Sequence, residues 1–394
     1  MPPLRLILGL GLLQLLGPLA IDMYLPALPA IQTDLRTSVQ TVQASLTLYM
    51  IALGVGQLVF GALADQWGRK LPLLAGLLLF GLASAGCALA DRPAALLGWR
   101  MLQGLGACVT LVVPRAMVRD LCSGTSAVRL MSTLILLASV SPLLAPLAGS
   151  LLLQSWGWRS VFWASSGLAL LGLLLALSLP DTLAASRRHD GGLRSVASAY
   201  RELLVDTEFL RLTLIVAAGM AAVVLYLQSS SFILIGRYRV TPAQYSVAFA
   251  SIAAGYFSVS QLAATLARRW GSARVARCSA GGFAGFSLLL LALCLVLPQP
   301  PLALLVTMIG ASFACLGLLN PLCTVLALDR YGHSAGSASA MLGLVSMLSG
   351  PLLIVLAGDR IQATPLALAL GLACCAGLAW LLAQRTLGRS REAS

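Results

Sequence analysis

Long apolar runs, interrupted by small polar or charged clusters, recur along the whole chain. Cutting them at charges, Pro and Gly gives twelve segments: 4–31, 41–64, 72–90, 94–118, 128–153, 158–180, 209–235, 243–268, 274–297, 301–328, 334–358 and 364–384. Each is near the roughly 20 residues that a helix needs to cross the hydrocarbon core of a bilayer. No water is available there to satisfy backbone N–H and C=O groups, so each segment is expected to be helical. The predicted fold class is all-α and integral to the membrane, with twelve transmembrane helices joined by turns.

Composition strengthens this reading. Of 394 residues, 59% are hydrophobic and 10% charged, too apolar a balance for a soluble domain. One polar interruption stands apart, residues 182–206, which carries Arg187-Arg188-His189-Asp190-Gly191-Gly192. It reads as a linker between two halves of six segments, 1–181 and 207–394, with a short interfacial helix expected over 195–204. The halves echo one another. Ala64-Asp65-Gln66-Trp67-Gly68-Arg69 recurs in altered form as Ala267-Arg268-Arg269-Trp270-Gly271-Ser272, and Ser141-Pro142-Leu143-Leu144 as Gly350-Pro351-Leu352-Leu353. The order of the echoes implies a tandem duplication and two pseudo-symmetric six-helix bundles.

The net charge of +13 does not point to nucleic acid, which is not an expected partner. Nineteen of the 26 basic residues fall on one side of the predicted segments and six on the other, leaving Arg100 inside. That asymmetry is the positive-inside pattern and puts both termini in the cytoplasm. The first segment is too long for a cleaved signal peptide and reads as a retained helix. All nine cysteines lie within segments or at their cytoplasmic ends, so no disulfide is expected. The two histidines, His189 and His333, fall in loops, and no G-x-x-x-x-G-K-[ST] phosphate cradle occurs. No metal, cofactor or enzymatic activity is expected, and a proton gradient rather than a nucleotide is the expected source of energy.

Two charges lie well inside the apolar segments, Asp22 in the first and Arg100 in the fourth. Charge at that depth is costly and marks a working site by default. Arg100 lies about six residues, roughly 9 Å, from the external end of its segment, and Asp22 about eight residues, roughly 12 Å. Similar depths favour a pair, in direct contact or bridged by water. The alternatives are a loop aspartate ending a shorter helix, and an Arg100 that snorkels outward. A second cluster follows the second segment. Gly61 would let helices approach, Gly68 would permit a tight turn, and Asp65, Arg69, Lys70 and Asp120 would form a cytoplasmic gate of charged hydrogen bonds. In the fifth segment Pro142 and Pro146, with Gly149, form a candidate hinge because each proline removes a backbone hydrogen bond.

The loop Gly61 to Lys70 resembles the G-x-L-x-D-R-x-G-R-K/R signature of the major facilitator superfamily, with Gln66 where the first Arg is usual. Arg100-Met101-Leu102-Gln103-Gly104-Leu105-Gly106 resembles its R-x-x-Q-G-x-G pattern. The stretch Ser141 to Gly149 is similar to a variant of the antiporter motif, with Ser141-Pro142 in place of Gly-Pro. Together with Ile21 to Pro26, Gly157 to Phe162 and Leu179 to Thr182, these stretches resemble the Bcr/CflA group of drug:proton antiporters, which includes phenicol and bicyclomycin exporters. The likeness covers the first half and continues more loosely through Ser229 to Leu234 and Ala335 to Ala340.

The resemblance implies proton-coupled efflux of lipophilic drugs across a bacterial inner membrane by alternating access, with Asp22 and Arg100 as the coupling pair. Its partners would be a small lipophilic drug, a proton and membrane lipid, and the working form a monomer. A cavity of this kind is apolar and aromatic with sparse polar groups. Candidates to line it are Met23, Tyr24, Tyr49, Gln57, Gln103, Tyr226, Gln228, Tyr256, Gln261 and Asn320. The same fold could instead export a small metabolite such as an amino acid, or import by proton symport. A non-transporting receptor would give Asp22 and Arg100 no reason to share a depth.

Overall fold

The computed structural model describes residues 4–121, 124–183, 203–329, 331, 335–357 and 364–387. Each of the twelve predicted segments has a helical counterpart among them. The expected linker lies outside them apart from its ends, as do His189, His333 and most of the interfacial helix expected over 195–204.

The chain clusters into two compact units, residues 1–190 with 240–247, and residues 191–239 with 248–394. The first contains α1 (Leu4–Asp22), α2 (Leu28–Asp34), α3 (Val39–Trp67), α4 (Lys70–Ala88), α5 (Pro93–Leu121), α6 (Gly124–Trp156) and α7 (Arg159–Ser178). The second contains α8 (Thr207–Ser231), most of α9 (Pro242–Gln261), α10 (Ala263–Trp270), α11 (Ser272–Val296), α12 (Leu302–Leu328), α13 (Ala335–Ala357) and α14 (Pro365–Leu387).

Two segments expected to be continuous are broken. The first divides into α1, a 3₁₀ turn over Leu25–Ala27, and α2, because Pro26 and Pro29 have no N–H to extend the ladder. Asp22 therefore ends α1 instead of lying mid-helix, yet its side chain is buried. The eighth divides into α9 and α10, which meet at a 40° bend. The seventh continues past Ser231 into a π-helical turn over Phe232–Arg237.

In the first unit α5 packs against α1, α3 and α4, and small residues set the distances. A side chain on Gly104 would collide with the carbonyl of Tyr49 on α3, and one on Gly106 with the backbone of Phe80 on α4. Helices that approach this closely gain dispersion contacts that lipid tails cannot supply. Gly61, the expected approach glycine, is not one of them. A Cβ there would meet Val112 at 3.6 Å, an ordinary contact. In the second unit α8 packs against α12, α13 and α14, and α11 against α12 and α14.

Helix ends follow their capping residues. The Ser38 hydroxyl accepts from the Thr41 N–H at 3.1 Å to start α3, and the Asp206 carboxylate accepts from Glu208 and Phe209 N–H to start α8.

Candidate functional site

Arg100 is fully buried in α5. No carboxylate lies within 4.0 Å of it among the described residues, so the direct pair with Asp22 expected from depth is not formed. Aromatic faces take that place. The guanidinium carbon stands 4.3 Å from the ring centres of both Tyr24 and Tyr49, with Phe162 at 5.8 Å. A desolvated cation over an aromatic face gains about 2 kcal/mol, which offsets part of its burial cost.

Both tyrosines are held by their hydroxyls. Tyr49 Oη donates to the Gly17 carbonyl at 3.1 Å. Tyr24 Oη lies 2.6 Å from Ser45 Oγ, whose own proton goes to the Val42 carbonyl, so Tyr24 is the donor. Arg100 Nη1 donates to Gln103 Oε1 at 2.5 Å, and Gln103 Nε2 donates onward to Ser84 Oγ at 2.8 Å. Arg100 Nε and Nη2 have no hydrogen-bond partner. Polar groups left this way in an interior are costly, which marks the guanidinium as held for use.

Asp22 is 5% exposed and accepts one hydrogen bond, from Ser141 Oγ on α6 at 2.8 Å. Gly149, one of the expected hinge residues, explains how α6 comes so near. A side chain there would strike the Met23 carbonyl at the helix break. Pro142 and Pro146 lie inside α6, which stays helical through both. Asp22 and Tyr24 are two residues apart where the first segment breaks, so the acid and the arginine's aromatic wall belong to one short piece of backbone.

The remaining cavity candidates divide by unit. Met23 is buried beside Asp22, and Gln57 is half-buried on α3. Tyr24, Tyr49 and Gln103, expected to line a cavity, are buried around Arg100. In the second unit Tyr226 stacks on Phe249 at 5.7 Å and meets Phe313 edge-on at 5.3 Å. Gln228 is buried on the same helix. Asn320 Nδ2 reaches Tyr256 Oη at 3.5 Å, and Asn320 Oδ1 has no partner. Gln261 is exposed at the last position of α9, where the bend turns it out of the packed interior.

The expected gate residues do come together. Gly68 ends α3 in the left-handed region at φ 91°, and the chain turns directly into α4. Arg69 then pairs with Asp65 one helical turn back and with Asp120 at 2.8 Å from the end of α5. Thr182 Oγ1 donates to Asp120 at 3.0 Å, and the Arg69 N–H donates to Asp181 at 2.9 Å. Lys70 Nζ donates to the Leu177 carbonyl at 2.8 Å, at the end of α7. Three helix ends and the segment after α7 thus meet on one arginine.

Ser45 and Ser84 carry no signal in the sequence, and Ser141, Phe162, Asp181 and Thr182 enter it only as parts of the resembling stretches. Single hydroxyls in apolar helices give no pattern; Asp181-Thr182, an acid and a hydroxyl just past an apolar run, was a usable signal.

A twelve-segment helical membrane chain with a buried arginine, a buried acid and a charged turn between its second and third spans is a transporter architecture. The sequence profile of the Major Facilitator Superfamily matches residues 10–353, and the chain belongs to that family. It is 34% identical to the uncharacterized MFS-type transporter YdgK of Bacillus subtilis, over 89% of this chain and 87% of that one. It is 31% identical to a chloramphenicol resistance protein of Pseudomonas aeruginosa, over 85% and 79% of the two chains. Among solved structures, a D-xylose-proton symporter shares the fold with a TM-score of 0.77 at 14% identity, covering 95% of this chain and 97% of that one.

Proposed function

We propose that this transporter exports lipophilic drugs, phenicol-type antibiotics or a broader range, in exchange for protons. It would act as a monomer in a bacterial inner membrane, with both termini in the cytoplasm. The observation that carries the coupling is Asp22, buried with one hydroxyl partner, two residues from a tyrosine that covers an arginine with unpaired donors.

Ionised, Asp22 offsets part of the Arg100 charge within the first bundle. A proton arriving from outside removes that offset and exchanges a carboxylate acceptor for a carboxylic acid. The bundle then holds one uncompensated cation, which biases the two bundles toward the inward-open arrangement. Drug entering the cavity favours the deprotonated form, so drug and proton compete, and the transport cycle follows from that linkage. Each inward proton supplies about 2.3 kcal/mol per 100 mV of membrane potential and about 1.4 kcal/mol per pH unit. The charged turn around Arg69 is the cytoplasmic gate, formed in one arrangement and released in the other.

The test is chloramphenicol accumulation in cells expressing wild type or Asp22→Asn, with and without an uncoupler. Wild type should lower accumulation several-fold and lose that effect with the uncoupler, while Asp22→Asn should accumulate drug like empty cells. Unchanged accumulation on wild-type expression would remove drug export. Full export by Asp22→Asn would remove the coupling role.

A further inference from the structure

A second group of basic residues, unrelated to the coupling pair, surrounds the turn between α10 and α11. Arg268 and Arg269 occupy the last turn of α10, and Arg274 and Arg277 the first two turns of α11. None has a carboxylate within 4.0 Å among the described residues. Asp329, at the end of α12, is exposed and forms no ion pair among them either. Four cations within ten positions, exposed or partly so, make a local positive patch that attracts an anion.

A groove beside them is shaped for one with a hydrophobic tail. A cavity of about 510 Å³ opens between α10, α11 and α12. Leu266, Val275 and Leu318 form its apolar walls, and Arg274 and Trp270 stand on it, with the Arg269 guanidinium 5.8 Å from the Trp270 ring. The size suits a small organic group. Trp270 is 54% exposed, as tryptophans at the headgroup level of a bilayer are. Beyond the 40° bend, α10 ends on Arg268, Arg269 and Trp270, the residue types that mark the membrane–water boundary.

We propose that this groove binds an anionic phospholipid, its phosphate held by Arg274, which lines the groove, its acyl chain along the apolar walls, and the charges of Arg268, Arg269 and Arg277 on the same turn adding to the local field. Guanidinium forks match phosphate oxygens bidentately, and basic groups at the surface of an anionic leaflet gain affinity additively. The placement at the cytoplasmic leaflet rests on the topology proposed above. The lipid would tie the α10–α11 turn to the membrane, a restraint from which the second unit's turn otherwise has no charged partner.

Native mass spectrometry of the full chain in detergent, titrated with dioleoyl phosphatidylglycerol, dioleoyl phosphatidylcholine or inorganic phosphate, tests this without any transport assay. A failure of drug export therefore leaves it standing. Phosphatidylglycerol should bind at least tenfold tighter than phosphatidylcholine, Arg274→Gln should weaken it about fivefold, and replacing all four arginines with Gln should erase the preference. Arg36→Gln, remote in sequence and on another unit, should not change it. Equal binding of the two lipids, a preference that survives the fourfold variant, or phosphate alone displacing phosphatidylglycerol would each overturn the proposal. Cys278 lines the groove as an exposed thiol, so wild-type protein gives an independent reading. Its labelling by N-ethylmaleimide, read by peptide mass spectrometry, should slow several-fold with phosphatidylglycerol and not with phosphatidylcholine; no difference between the lipids overturns the site.

Discussion

Positions 203 apart do the same backbone work in the two units. Arg36 and Arg239 are the two non-glycine residues with positive φ among those described, at 48° and 55°, and Gly68 and Gly271 follow at 91° and 83°. Ser38 and Thr241 each accept a backbone N–H from three residues on. At the same positions the side chains diverge. Arg268 stands where the first unit has Asp65, and Ser272 where it has Arg69. Asp22 touches Ser141 across α1 and α6, whereas a side chain on Gly350, the echo of Ser141 at a spacing of 209, would strike Val224 of α8. The buried charges, Asp22, Arg69 and Arg100, all belong to the first unit among the described residues. The duplicated backbone is retained because turns and caps build the fold, while charge is free to concentrate in one copy, where it can do chemistry.

If coupling lives in the first unit, its arginine should be the most sensitive position. Arg100→Lys keeps the charge but loses the plane that lies between Tyr24 and Tyr49 and the fork that reaches Gln103. Uphill export should fall at least tenfold at unchanged protein level, measured as drug-dependent proton flux in proteoliposomes. Tyr226→Leu, in the aromatic cluster of the second unit, should raise the KM for drug and leave the proton-to-drug ratio intact. Equal loss of coupling in both variants would erase the division of labour.

Packing, by contrast, should not distinguish the units. Gly104 lies against the Tyr49 carbonyl, and Gly317 against the Tyr256 carbonyl. Gly104→Ala and Gly317→Ala each force a backbone shift and should destabilise by about 1–3 kcal/mol. Both should lower the thermal midpoint by several degrees. Gly285→Ala, with open space around it, should not. A clear difference between the first two would mean that the copies are packed by different rules.

The charged turns separate the units again. Arg69 and Asp120 side chains are 7% and 15% exposed, so Asp120→Asn leaves a largely buried guanidinium short of a partner. The cost should be roughly 1.5–3 kcal/mol, seen as a lower thermal midpoint and slower turnover with drug binding retained. Asp329→Asn, on an exposed acid at the end of α12, should stay within about 0.5 kcal/mol. Matching losses would show that the second turn also works as a charged latch.

Which of these features could be read from the letters depends on how local they are. The Asp65–Arg69–Asp120 cluster was legible because the charges sit at helix ends, where the turn geometry brings them together. The partner of Arg100 was not. Equal depth suggested Asp22, but depth along two helices does not fix which faces meet. The break at Pro26 and Pro29 brings Tyr24, not the acid, against the guanidinium, and stacking leaves no charge signature. The glycines show the same limit: Gly61 and Gly104 are alike as letters, and only the facing carbonyl of Tyr49 distinguishes the one that must lack a side chain. Length and hydropathy make ten helices among the described residues able to cross a bilayer, eleven with the bent α9–α10 pair counted as one, since the bilayer imposes their length; the breaks within two of the segments follow from local backbone chemistry.

The smallest loss expected of any tether lies at the opposite ends of the first unit's helices. There Asp34 Oδ2 accepts from Trp158 Nε1 at 3.0 Å and from Arg159 Nη1 at 2.7 Å, and Arg159 Nη2 donates to the Ala90 carbonyl at 3.2 Å. This ties α2 and the end of α4 to the start of α7. The second unit has Arg237 at the position 203 beyond Asp34, and its tether is neutral, Tyr238 Oη donating to the Pro300 carbonyl at 2.5 Å. The Arg159 and Asp34 side chains are 42% and 48% exposed, so water screens their attraction. Asn at position 34 can still accept from Trp158, which leaves only the ionic part to lose. Asp34→Asn should therefore cost about 0.2–1 kcal/mol at low salt and less at 1 M salt, where the screening length falls to about 3 Å. A salt-independent loss of more than about 2 kcal/mol would mean that Asn fails to keep the Trp158 hydrogen bond and that this bond carries the weight. The two tethers would then be neutral devices of one kind, and the contrast in charge between the units would be confined to the turn at Arg69 and the site around Arg100.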